Sequence, residues 1–177
     1  MKRTVLLIAA TACVLVFSAC KTEDPNAAIE AQNKKTMQDF VDAMNKKDWA
    51  SLDTFIDANY KEHTPDPWMK STGLAGLKES MQATNTMMPD FTVTPNYMVA
   101  EGDMVMMQYR WTGTNTGSVE GMPATGKAMD VQGVDIVRFK DGKGVEHWGY
   151  FDMGKMMEQM GMTWAPMAAT ETPAPGK

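Results

Sequence analysis

The sequence predicts an α+β fold, in which N-terminal helices pack on a curved antiparallel sheet with a short C-terminal helix. Three observations carry this. Apolar residues in the first half recur at helical spacing, with Met37, Phe40, Val41 and Met44 on one face. Runs in the second half have the length and alternation of strands, and two of them are joined by Lys140-Asp141-Gly142-Lys143, a strong tight-turn signal. Helices first and sequential strands afterward are the order of an α+β domain.

The elements follow in order. Ile29 and Asn33 extend the first helix backward, and Trp49, Leu52, Phe55 and Ile56 repeat its pattern in a short second helix. Asn59 to His63 reads as a brief strand, stopped by Pro65 and Pro67. Leu74, Leu77, Met81 and Met88 mark a third helix, with Ser71 or Thr72 as its cap. Four strands are expected at Phe91–Ala100, Met104–Gly113, Met129–Phe139 and Val145–Phe151. Met153, Met156, Met157 and Met160 form the stripe of a last helix, ended by Gly161.

The N-terminus reads as an export signal. Lys2 and Arg3 precede an apolar run from Val5 to Phe17, too short for a permanent span, and Ser18-Ala19 lead into Cys20. This resembles the lipobox of bacterial lipoproteins. It implies removal of residues 1–19, a lipid on Cys20 at the start of a tether over 20–27, and attachment to the cell envelope. An ordinary signal cut elsewhere would leave Cys20 a free thiol. The domain is expected over 28–164, and the Ala-, Thr- and Pro-rich stretch 165–177 reads as a disordered tail. The other cysteine, Cys13, lies in the removed segment, so no internal disulfide is expected and a hydrophobic core must hold the fold. Removing Lys2 and Arg3 takes the formal net charge from −5 to −7, which argues against nucleic acid as a partner.

Seven short motifs then occur in a telling order: Tyr60-Lys61-Glu62-His63, Met88-Pro89-Asp90-Phe91, Ala100-Glu101-Gly102-Asp103, Thr112-Gly113-Thr114, Gly121 to Lys127, Asp141-Gly142-Lys143 and Glu146-His147-Trp148. Across Met37 to Gly161 the chain resembles the SnoaL-like polyketide cyclase and ester cyclase family of the NTF2-like superfamily. The resemblance implies a cone of helices over a curved sheet, often a homodimer through the outer sheet face. It also implies a small organic ligand in the cone and acid/base ring closure without metal or cofactor. Two departures stand out. The cyclases carry a general acid/base aspartate directly after the His-Trp pair, where this chain has Gly149. Many relatives have a histidine in the loop position held here by Asn115.

With that acid missing, Asp152 is the nearest replacement, although it also precedes a helix and suits an N-cap. His63 and His147 are the other acid/base candidates, with an edge histidine bonded to backbone as the plain reading of His147. Period-two alternation gives Trp148 and Tyr150 the side of Asp152 and His147 the other side, which makes Trp148 a cavity wall. Tyr60, Tyr97, Arg110 and Asn115 complete the candidate ligand contacts. Gln108 and Arg110 alternate with Tyr109 and Trp111, without revealing which pair faces inward, and Arg110, Arg138 and Asp135 suggest a structural ion-pair network. Nineteen methionines in an exported chain raise Cu(I) handling as a rival function. Those at Met104, Met106, Met107, Met156, Met157, Met160 and Met162 sit where core residues would, and two histidines give no metal set. Three functions therefore stay open: an enzyme using His63 and Asp152, a non-catalytic binding or assembly module, and a copper lipoprotein.

Overall fold

A computed structural model describes residues 25–162. The expected signal segment with Cys20 and the Pro-rich tail lie outside the described residues. The chain runs α1 (Ala27–Asn45), α2 (Leu52–Phe55), β1 (Ile56–Glu62), α3 (Gly73–Met87), β2 (Thr92–Glu101), β3 (Met104–Thr114), β4 (Ala128–Lys140), β5 (Lys143–Phe151) and α4 (Met153–Met160). Among the described residues, no helix is long and apolar enough to cross a membrane.

The sheet has five strands in the order β1-β5-β4-β3-β2 and does not close. β2 to β5 are antiparallel neighbours, as the two-residue connections β2–β3 and β4–β5 require, while a longer loop joins β3 to β4. β1 is added at the edge, parallel to β5, which makes the sheet mixed. It is longer than the sequence suggests, because Ile56 leaves the second helix after a single turn and opens the strand. Asp141 and Gly142 both adopt positive φ, 52° and 77°, the conformation demanded by the tight turn between β4 and β5.

α1 and α3 cover the concave face. Val41 and Met37 of α1, with Met87 and Leu77 of α3, are buried, as are Val105, Met107, Val131 and Phe139 of the sheet. Burying side chains of this kind is worth about 1.5–3 kcal/mol each relative to exposure. The capping of α3 differs from expectation. Thr72 occupies the N-cap without a side-chain bond, and Glu79 accepts instead from the backbone N–H groups of Lys70 (2.8 Å) and Ser71 (2.9 Å). At α4 the sequence-based cap is present: Asp152 Oδ1 accepts from Lys155 N at 2.9 Å, and Gly161 ends the helix at φ 69°.

The methionines are mostly packing. Met87, Met88, Met107, Met129, Met156 and Met160 are 0–2 % exposed. Met106, their neighbour on β3, faces out.

Candidate functional site

Between the helices and the concave sheet face lies a cavity of about 210 Å³. α1 contributes Met37, Phe40 and Met44, and α3 contributes Leu77, Met81, Ser80 and Thr84. The sheet supplies Tyr60, Tyr109, Trp111, Val137 and Phe151. Trp68 and Met69, from the segment after β1, complete the rim, and Trp68 Nε1 donates to Glu120 O (3.2 Å) on the loop before β4. The walls are mainly apolar, and a small number of polar groups converge on one region, the usual make-up of a small-molecule site.

That region is a row across three strands. His147 of β5 stands between two carboxylates. Its Nδ1 lies 2.7 Å from Glu62 Oε2 on β1, and its Nε2 lies 3.3 Å from Asp135 Oδ1 on β4. With a carboxylate facing each nitrogen, the surroundings favour the imidazolium, which carries a proton on both. Burial opposes that charge, but the bonds and charges of Asp135 and Glu62 outweigh it and push the pKa of His147 up to about 10. Burial would likewise raise Glu62, yet the bond from His147, with others from Tyr60 and Thr64, brings it down to about 2.

The two carboxylates are held differently. Glu62 is surrounded by donors. Oε2 also accepts from Tyr60 Oη (2.5 Å), and Oε1 accepts from Thr64 N (2.8 Å) and Thr64 Oγ1 (2.9 Å). Thr64 Oγ1 in turn accepts from Gly149 N at 2.7 Å, tying the end of β1 to β5. Asp135 faces the His147 ring at 3.3 Å beside Tyr109, and its side chain is 20 % exposed and lines the cavity. Burial and the adjacent carboxylates push both tyrosine pKa values upward, so Tyr60 and Tyr109 remain phenols and donors.

Two glycines make room for this row. A Cβ on Gly149 would lie 2.8 Å from His147 Cε1 and 3.2 Å from Asp135 Oδ1. A Cβ on Gly133 would strike the Tyr109 ring at 2.5 Å. Gly149 and Asp135 are direct partners in the β4–β5 ladder.

Several sequence-based candidates lie elsewhere. Trp148 is on the convex face and lines no part of the cavity. It stacks on His63 with centroids 4.2 Å apart and planes 7° apart. His63 is outside as well, its Nε2 bonded to Glu146 Oε2 at 2.7 Å. Tyr97 is 76 % exposed on the outer face. Arg110 is exposed and forms a two-pronged pair with Asp130 at 2.7 and 2.6 Å. The expected network of Arg110, Arg138 and Asp135 does not form, because Arg138 binds Asp103 and Glu146 while Asp135 faces inward. Asn115 is fully buried as a loop organiser: it donates to Gly117 O and its Oδ1 accepts from Thr125 N and Oγ1. Asp152 serves as the exposed cap of α4, beyond the cavity lining. Of the candidates only Tyr60 and His147 reach the cavity. The sequence reading missed Glu62 and Asp135 as site residues. The available signal was Asp135 itself, the only charge among the alternate β4 positions Met129, Val131, Gly133, Val137 and Phe139. Among the described residues, no group of three or more His, Cys, Asp or Glu side chains is arranged to hold a metal ion.

The model of the family described as SnoaL-like polyketide cyclase matches residues 34–160, which spans most of α1, both α2 and α3, the whole sheet and α4. The chain belongs to this family. Solved structures agree with the assignment. TsrD from Streptomyces laurentii is 26 % identical with a TM-score of 0.68, and the match covers 75 % of this chain and 97 % of TsrD. IdmH from Streptomyces antibioticus is 27 % identical with a TM-score of 0.66, over 74 % of this chain and 99 % of IdmH. AclR from Streptomyces galilaeus is 25 % identical with a TM-score of 0.65, over 75 % of this chain and 97 % of AclR. Comparison with curated protein sequences gives no match. The family and the cavity together make this a small-molecule-binding domain of the SnoaL-like cyclase type.

Proposed function

We propose that the domain is an acid/base enzyme acting on a compact, mainly apolar carbonyl compound, with Asp135 as the proton acceptor. The observation that carries this is the pairing of Asp135 with Gly149 across β4 and β5. The cyclase resemblance implies an acid at the position of Gly149, and Asp135 offers a carboxylate to the same part of the cavity from the neighbouring strand. Glu62 is less suited to the task because four donors already occupy its oxygens.

The chemistry follows from the arrangement. Asp135 takes a proton from a carbon beside a carbonyl, leaving an enolate. The His147 imidazolium, fixed by Glu62, keeps a positive charge beside the reacting region, where low dielectric strengthens its effect. The enolate carbon then bonds to a second carbonyl carbon of the same molecule. The protonated Asp135 returns its proton to the new alkoxide, so the product is a cyclic isomer and no co-reactant is consumed. Neither His63 nor Asp152 takes part.

The reading extends to the termini and the surface. Ser18-Ala19-Cys20 support a lipid on Cys20 that would hold the domain at the cell envelope. The outward-facing Val99, Met106 and Tyr150 support a homodimer through the convex sheet face. A non-catalytic binding module remains the alternative, favoured by the loss of the acid at Gly149. Deuterium exchange into 2-tetralone, a compact bicyclic ketone, separates the two. The enzyme reading expects exchange above the buffer rate that is lost in Asp135→Asn. Binding of the ketone without exchange supports the module.

A further inference from the structure

We propose that Trp111 is a specificity residue, whose indole N–H binds an acceptor oxygen of the ligand away from the reacting carbon. This rests on the small-molecule reading of the cavity.

Trp111 lies on the concave face of β3 and lines the cavity. Its Nε1 has less than 1 Å² of accessible surface and no hydrogen-bond acceptor among the described residues. Its surroundings explain why. Its ladder partners are Val93 on β2 and Val131 on β4, and the Phe151 ring meets it edge-on with centroids 5.5 Å apart. None of these side chains carries an acceptor. A buried donor with no partner costs about 1–3 kcal/mol, so native proteins rarely retain one without a use. Other polar groups of the cavity are satisfied internally: Tyr60 by Glu62, and Ser80 by Asp66. Trp111 therefore holds a donor that no internal acceptor competes for, and a small turn of the indole toward the cavity it lines would present that donor to a ligand.

Its place in the sheet defines its role. Trp111 pairs with Val131, four residues along β4 from Asp135, or about 13 Å of strand. Tyr109, laid over Gly133, fills the row between. An oxygen bound at Trp111 is thus remote from a carbon deprotonated by Asp135. The ligand class that satisfies both ends is a flat apolar molecule with a carbonyl or ether oxygen at the far end. It is neutral there, because no cation lines that part of the cavity.

The test uses the matched pair 6-methoxy-2-tetralone and 2-tetralone, which differ by one ether oxygen at the end of the bicycle remote from the ketone. In the ¹⁵N-labelled domain the Trp111 indole resonance, assigned through Trp111→Phe, should move downfield on titration with 6-methoxy-2-tetralone and not with 2-tetralone. Trp111→Phe, which keeps an aromatic wall, should weaken 6-methoxy-2-tetralone binding by about threefold to tenfold, the loss of one neutral hydrogen bond. Binding of 2-tetralone should stay within twofold. Equal weakening for both probes would reduce Trp111 to a packing residue and overturn the proposal. So would a resonance that stays in place, or a wild-type domain that binds neither probe. Deuterium exchange in Asp135→Asn is a separate readout, so binding that obeys these expectations without any exchange would remove the enzyme reading and keep Trp111.

Discussion

Asp135 Oδ1 lies 3.2 Å from where a Cβ on Gly149 would stand, and the two residues are cross-strand partners. One strand gives up a side chain at the point where its neighbour supplies a carboxylate. The same bare glycine leaves room for the His147 ring, which reaches both Asp135 and Glu62. Four consequences can be measured.

Gly149→Ala should destabilise the fold by about 1–3 kcal/mol, because the methyl would press on His147 Cε1 at 2.8 Å inside a packed wall. Thermal unfolding reads this directly. A change below about 0.5 kcal/mol would mean that the imidazole moves aside without cost.

His147→Gln should cost about 3 kcal/mol, since it leaves Glu62 and Asp135 without the cation between them. It should also alter the pH dependence of stability. Folding raises the His147 pKa from 6.5 to about 10, so its contribution is complete below pH 6.5 and is lost as pH climbs through 10. Glu62 is lowered from 4.5 to about 2, so its contribution is present above pH 4.5 and disappears as pH falls through 2. Chemical denaturation of the wild type should show both limbs. In His147→Gln the alkaline limb between 6.5 and 10 should flatten.

Trp148→Ala should leave 2-tetralone affinity unchanged, because Trp148 packs on His63 outside the cavity. The cost in stability should be about 1 kcal/mol, the worth of one aromatic pair. A large loss of affinity would return Trp148 to the cavity wall.

Asp152→Asn should be nearly neutral for both stability and exchange, whereas Asp152→Ala should lose about 1 kcal/mol of stability with exchange intact. The bond to Lys155 N is a capping bond, and Asn makes it about as well. Loss of exchange in Asp152→Asn would contradict the present assignment.

The elements, their order and the helix cap at Asp152 were legible in the sequence, because period and turn chemistry are local. The facing of two strands was not, and one extra residue in each is the reason. Counting back from the Asp141-Gly142 turn without interruption pairs His147 with Ile136, on the outer face. Val145 is an extra residue between the pairs Phe139–Gly144 and Arg138–Glu146, so His147 pairs with Val137 and turns inward. Asn96 does the same on β2. Alternation from Phe91 and Val93 directs Tyr97 to the core, but after the shift between Pro95 and Tyr97 it faces Gln108 on the outer side. Each bulge reverses every assignment beyond it, which moved Trp148 and Tyr97 out of the site and brought His147 in. Asp135 carried a readable signal as a lone charge on an apolar face. Its pairing with His147 depended on the bulge and was hidden with it.

The most direct test of the central claim exchanges the two cross-strand residues. Deuterium incorporation into 2-tetralone should fall to the buffer rate in Asp135→Gly. It should recover in part when Gly149→Asp is added, because the carboxylate then enters the same part of the cavity from β5. Exchange at the wild-type rate in Asp135→Gly would contradict the account, since a base other than Asp135 would then be moving the proton.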